Sequence, residues 1–198
     1  FHAITERHAS HQAFRPDPIP EEILAELTEA ASAEGAWLKC LVDEPVRTTL
    51  ADLIAQADRR QWADPHFRQE LAQWVRPKPE AARDGVPTHR LGVKDWLSFA
   101  GPALIRTFDR GGGQAARDQE IALHSPVLAI LGTDSDTPAS WICAGQAMQS
   151  VLLHACTENL QSSFLNQPIE VPDLRNQVAA LAGRSGCPQV VIRLGFGE

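Results

Sequence analysis

The sequence predicts a helix-rich fold in which a small apolar sheet is covered by helices on both faces. Three observations carry this. Residues 137–160, TPASWICAGQAMQSVLLHACTENL, read as one long helix with apolar residues on more than one face. Residues 125–133 and 188–194 are continuous apolar runs of strand length, as strands buried on both faces require. Between these lie segments whose apolar residues recur at helical spacing.

In chain order, residues 1–13 read as a polar helix or turn rich in His, followed by the proline-punctuated bend FRPDPIPEE. Pro20, Glu21 and Glu22 open a helix whose Ile23, Leu24, Leu27, Ala30 and Ala31 form one stripe, and Gly35 ends it. Residues 36–42, AWLKCLV, alternate as a strand. Two amphipathic helices are expected at about 47–62 and 65–75. Residues 77–96 carry three prolines and no period, as a lid, a binding loop or a plain connection would. A short helix is expected from Pro102. Residues 110–117, RGGGQAAR, read as a flexible turn, because they lack the GK[ST] of a phosphate loop.

The long helix has Thr137 to cap its free N–H groups and Pro138 where no N–H is needed. It is expected to be buried nearly all round, with Gly145 at a close helix crossing. Residues 161–171 read as an extended loop, residues 172–182 as a helix stopped by Gly183, and residues 188–194 as the last strand. With no internal repeat or composition break, residues 1–198 read as one domain.

A net charge of -7 argues against wholesale binding to nucleic acid or anionic membrane. No apolar run reaches the ~20 residues of a membrane span. Cys40, Cys143, Cys156 and Cys187 form no CxxC pair, and a reduced cytoplasmic protein is expected. The seven His and four Cys are scattered rather than spaced as metal ligands, so no metal is expected. Phe1 is not an initiating residue, so the chain is expected to be trimmed or processed. There is no GxSxG, no HExxH and no Cys–His pair in a recognisable setting, so no side chain is expected to act as a catalytic group. That leaves a binder, or an enzyme whose cofactor carries the reaction.

The opening HASHQAFRPDPIPEEILAELTEAAS resembles that of the nitroreductase family: basic and Ser residues at alternate positions, a Phe, a Pro-rich bend and an amphipathic helix. WICAGQAMQSVLLHACTENLQSSFLNQPIEV is similar to the family's long central helix and the segment after it, and GCPQVVIRLGFG to its last core strand. ADRRQWADPHFRQELAQWVRP, followed by DGVP and LG, resembles the family's Acg-like branch.

The resemblance implies an α+β fold with a central mixed sheet flanked by helices and a long buried central helix. It implies FMN as cofactor at the interface of a homodimer, or of the paired halves of a fused two-unit chain. The implied activity is NAD(P)H oxidation, with hydride passing through flavin N5 to nitroaromatic, quinone or similar small aromatic acceptors. A non-catalytic FMN-sequestering protein with an occluded site is the alternative. The first motif would hold the phosphate and ribityl chain through Ser10, with His8 and Gln12 at the family's basic positions and Arg7 and His11 beside them. Backbone N–H groups of Phe164, Leu165 and Asn166 would face the flavin's N5 and O4 edge, and Arg193 would either stand in for the family's basic C-terminal tail or form a structural salt bridge within the strand. Where the family has Pro-Ser-x-x-Asn after its second helix, this chain reads SAEGAWL, without the Asn.

Overall fold

Strands that are apolar on both sides must be covered on both sides, and the architecture follows from that. A computed structural model describes residues 1–76, 84–87, 105, 107 and 111–197. They group into two compact units, one of Phe1–Ala57 with Ala116–Glu198, the other Asp58–Ala115.

The first unit is built on a four-stranded sheet. Its strands are β1 (Trp37–Leu41) and, further along the chain, β4 (Val127–Thr133), β5 (Leu160–Phe164) and β6 (Cys187–Phe196), in the order β1-β4-β6-β5. β2 (Val75–Arg76) and β3 (Val86–Pro87) belong to the second unit. Every position of β4 is buried. Its odd-numbered residues Val127, Ala129 and Leu131, with Leu38, Ile192 and Leu194, face two helices, α2 (Glu21–Ala33) and α6 (Pro138–Thr157). Those helices contribute Leu27, Ala30 and Ala31, and Ala144, Ala147, Val151, Leu152 and Ala155. On the other face Trp37, Leu41, Leu128, Ile130 and Val191 meet α3 (Glu44–Ala63), α5 (Gly111–Leu123) and α8 (Pro172–Ala182). Each fully buried Leu or Ile here contributes about 1.5–3 kcal/mol relative to exposure.

Strand register is set by close packing at one glycine. A Cβ at Gly132 would lie 2.2 Å from the Trp37 ring, its neighbour across the β1–β4 ladder, so only glycine lets that indole cover the sheet end. The β4–β6 register shifts between Leu131 and Gly132.

The second unit is smaller. Asp64 accepts the His66 N–H at 2.8 Å and caps α4 (Pro65–Trp74), with Pro65 in the first turn. Trp62, Ala72, Val75 and Ile105 form its core, with Phe67 edge-on to Trp62 at 6.2 Å between centroids. β2 (Val75–Arg76) pairs in parallel with β3 (Val86–Pro87). Apart from residues 84–87, the aperiodic stretch 77–96 lies outside the described residues. So does the helix expected from Pro102, apart from Ile105 and Thr107, both of which are helical.

Four expectations need correction. The glycine-rich segment is not a flexible turn but the start of α5, whose Gly111, Ala115, Asp118 and Ala122 fall on one buried face. Tertiary packing of that face outweighs the ~1 kcal/mol per glycine that helix propensity costs. Residues 161–171 are not a loop: they complete β5 and form a short α7 (Gln167–Glu170). Asn159, at φ 58, turns the chain from α6 straight into β5, and Ser162 and Ser163 disguise a buried strand as polar linker.

α6 is buried along one stripe only. Trp141 is 54% and Ile142 65% exposed, and a Cβ at Gly145 would meet nothing within 4 Å. Gly145 is therefore not at a crossing among the described residues. Finally, the sheet is antiparallel at every ladder rather than mixed. Among the described residues, parallel pairing in this unit is confined to the single bridge Ala9–Ser162.

The start of α6 is clamped electrostatically. Arg175 donates to both oxygens of Asp136, at 2.7 and 3.2 Å, and Trp141 Nε1 and Gln189 Nε2 donate to Oδ1 at 2.6 and 3.0 Å. These bonds, the one from Arg175 first, hold the Asp136 carboxyl far below the usual carboxylate range. Folding thus favours the ionised form, so its contribution is complete above about pH 5 and shrinks as pH falls below that. Asp136→Asn should be less stable than wild type at neutral pH, and the gap should narrow between about pH 5 and pH 2 in denaturant titrations. A pH-independent gap would contradict the clamp.

Candidate functional site

Residues 7–15 form a hook laid along the sheet edge. After α1 (Ala3–Glu6), the chain extends, and Ala9 bridges to Ser162 in β5. The Ser10 N–H donates to the Ser162 carbonyl at 2.9 Å. Further on, the Arg15 N–H donates to the Phe196 carbonyl at 2.9 Å, at the end of β6. The hook is thus tied to two strands, one at each end.

Arg193 closes it from behind. The residue is 1% exposed and lies directly opposite Ser163 in the β5–β6 ladder. Its Nε donates to Ser163 Oγ at 2.5 Å, and its Nη2 donates to the carbonyls of Ser10 and Gln12 at 2.6 and 2.8 Å. The guanidinium lies 4.0 Å above the centre of the Phe14 ring. A Cβ at Gly195 would come within 2.7 Å of Phe14, so glycine at this position lets the ring settle. Burial pulls the Arg193 pKa down to about 10, while the nearby charge of Asp118 pushes it back up, so the group stays cationic at neutral pH. Asp118 is itself buried and accepts from Gln167 Nε2 at 2.8 Å. Arg193 Nη1 is buried with no hydrogen-bond partner among the described residues.

The two segments singled out in the sequence are therefore neighbours, but their residues divide. Ser10 is buried, with its hydroxyl 3.4 Å from the Gln12 N–H that donates to it. Arg7 is half-buried, and His8, His11 and Gln12 are exposed. His8 Nδ1 lies 3.0 Å from the Glu6 carbonyl. Phe164 is 37% exposed at the end of β5.

Leu165 departs from expectation: its side chain is in the core with Leu174 and Val191, and its N–H donates to the Val191 carbonyl at 3.0 Å. That N–H is committed to the sheet and cannot face a ligand. The Asn166 side chain is likewise engaged, accepting the Val191 N–H at 2.9 Å.

Comparison with sequence families matches residues 4–197 to the nitroreductase family. The chain belongs to that family. Among its relatives are two Mycobacterium tuberculosis proteins whose names provisionally describe NAD(P)H nitroreductases. One is 26% identical over 195 residues, covering 98% of this chain and 54% of its own length. The other, Acg, is 23% identical over 199 residues, covering 98% and 57%. This nitroreductase-family chain thus spans about half the length of the curated relatives it matches.

Solved structures share the fold. The FMN-dependent nitroreductase NfnB from Mycobacterium smegmatis, in complex with NADPH, aligns over 99% of this chain and 86% of its own at TM-score 0.61 and 20% identity. Iodotyrosine deiodinase bound to FMN and 3-iodo-L-tyrosine aligns over 100% and 89% at TM-score 0.62 and 15% identity. A Bacteroides fragilis nitroreductase with bound FMN aligns over 100% and 87% at 0.59 and 15%.

Ser163, Asp118 and Gln167 complete this family member's hook clasp without standing out in its sequence. Asp118 was within reach: it occupies a buried helical register with Ala115 and Ala122, and a carboxylate in an apolar stripe marks a buried partner. Ser163→Ala leaves the buried Arg193 Nε without its acceptor and should cost about 1–3 kcal/mol in denaturant unfolding. Ser163→Thr, which keeps the hydroxyl, should recover most of it. Equal stability of the Ala variant and wild type would show that the bond does not matter.

Proposed function

We infer that this chain is the flavin-binding unit of an FMN-dependent NAD(P)H oxidoreductase of nitroreductase type, with nitroaromatic, quinone or similar acceptors. The observation that carries the reading is the clasped hook. A chain segment bearing Arg7, His8, Ser10, His11 and Gln12 is held against β5 over a buried cation, one of whose donors has no partner among the described residues. Such a surface suits a phosphate, which needs oriented donors and positive potential. The residues present therefore fit FMN. The FMN and NADPH in the solved neighbours support the same reading.

In this reading Ser10 and the side chains beside it hold the phosphate and ribityl chain, and Phe164 offers an apolar surface to the ring. With the Leu165 N–H spent on Val191, the Phe164 and Asn166 N–H groups are the donors this reading assigns to the N5 and O4 edge. When bound, FMN supplies the hydride chemistry; the protein positions it and excludes water.

One observation favours the sequestering alternative: Gln12, at one of the family's basic positions, carries no charge. Turnover and mere retention must therefore be separated by experiment. The purified protein should be yellow, and NAD(P)H should bleach it anaerobically. Yellow protein that NAD(P)H leaves unbleached makes it a binder. Colourless protein that takes up no added FMN overturns the flavin reading altogether.

The exposed side of α6 supports pairing with a second unit of this fold, either another copy or the other half of a longer chain. Trp141, Ile142 and the bare Gly145 surface lie together there, where apolar exposure and a missing side chain suit a helix-to-helix approach. Sedimentation of the 21.6 kDa chain should give twice that mass, and Ile142→Glu should return it to the monomer. A wild-type monomer excludes self-pairing.

A further inference from the structure

The bend after β5 is gripped twice, and only one grip belongs to the sheet. The Leu165 N–H donates to the Val191 carbonyl at 3.0 Å, and Asn166 Oδ1 accepts the Val191 N–H at 2.9 Å. The second grip is a side chain: Gln167, the first residue of α7, donates from Nε2 to Oδ2 of the buried Asp118 on α5 at 2.8 Å. A hydrogen bond to a carboxylate is stronger than one to a neutral acceptor. The bend needs it, because α7 has four residues and Asn166, which precedes it, gives the helix no side-chain cap. Asp118 also lies close enough to Arg193 for its charge to raise the guanidinium pKa. One carboxylate thus serves both the cation behind the hook and the bend.

Successive N–H groups of an extended strand point to opposite edges. With the Leu165 N–H turned to β6, that of Phe164 is turned to the outer edge of β5, which ends the sheet. The hook lies on the same edge, where the Ser10 N–H reaches the Ser162 carbonyl.

Resting on the flavin reading above, we propose that Gln167 is a positioning residue that biases the site towards reduced FMN. Its bond to Asp118 holds residues 164–166 so that their backbone donors keep one direction. Reduction places negative charge near the flavin's N5 and O4 edge, and donors fixed there stabilise the reduced form more than the oxidised one. The Gln167 side chain needs no contact with the ligand.

Gln167→Ala removes the tie, and its effect is read as the midpoint potential of bound FMN beside the dissociation constant of oxidised FMN. Reduced FMN should lose at least about tenfold in affinity relative to oxidised FMN, a fall of ~30 mV for a two-electron couple. Oxidised FMN should stay within about threefold of its wild-type affinity. Exchanging the partners, Gln167→Glu together with Asp118→Asn, restores one donor and one acceptor at the same total charge and should return most of the loss. A merely structural role would weaken both redox states alike and leave the potential where it was. In the ligand-free protein the Ile169 N–H, donated to the Asn166 carbonyl at 2.8 Å, should exchange at least about tenfold faster in Gln167→Ala.

An unchanged potential in Gln167→Ala overturns the proposal, as does an exchanged pair that recovers nothing. Should Gln167→Ala fail to fold, Gln167→Asn, one methylene shorter, is read in its place by the same criteria. Wild type that takes up FMN, with no change of potential in the variant, sinks this inference alone. Wild type that takes up no FMN sinks the flavin reading with it.

Discussion

A guanidinium buried at the edge of a sheet is the constraint around which the hook is arranged. Taking an Arg side chain out of water is costly unless its donors and its charge are answered. Here Ser163 answers Nε, two backbone carbonyls from the N-terminal segment answer Nη2, Phe14 covers the face and Asp118 answers the charge. Each answer fixes a piece of chain. Residues 10–14 bury one large apolar group, Phe14, and the cation together with the backbone bonds of Ser10 and Arg15 holds them against β5 and β6. The same contacts explain local sequence: Gly195 is small so that Phe14 can lie flat, and Ser163 is polar inside a strand because it faces Arg193 across the ladder.

The helices and the buried strands were legible because their signals are local and redundant. The stripe of α2, the proline-opened α4 and α8, and the all-apolar β4 each follow from period, caps and propensity acting together. What failed had one cause in common, local chemistry overruled by tertiary contact. Three glycines read as a turn, yet Ala115, Asp118 and Ala122 hold the helix they begin. Ser162 and Ser163 read as linker, yet the ladder to β6 and the hook's bridge make them a central part of the sheet edge. The exposed side of α6 shows the converse: an apolar helix is buried all round only if something lies on each side, and composition does not say whether that is the same chain.

The site was legible in its parts and not in its logic. The resemblance pointed to the hook and to residues 161–167, and the structure lays the hook against Ser162 of that segment. It could not tell that Leu165 spends its N–H on Val191, or that Arg193 reaches the hook by way of its carbonyls. Membership of the nitroreductase family and the fold follow from comparison, while the flavin, the acceptors and the pairing rest on chemistry that this hook would have to perform.

Amide hydrogen exchange at single-residue resolution tests the clasped hook most directly. The account predicts that the Ser10 N–H, donated to Ser162 and backed by Arg193, exchanges about as slowly as the amides of β5 and β6, even without any ligand. Exchange of that amide at the rate of an unstructured peptide, while the strands stay protected, would mean that the hook is not held and that the site built on it does not exist in the free protein.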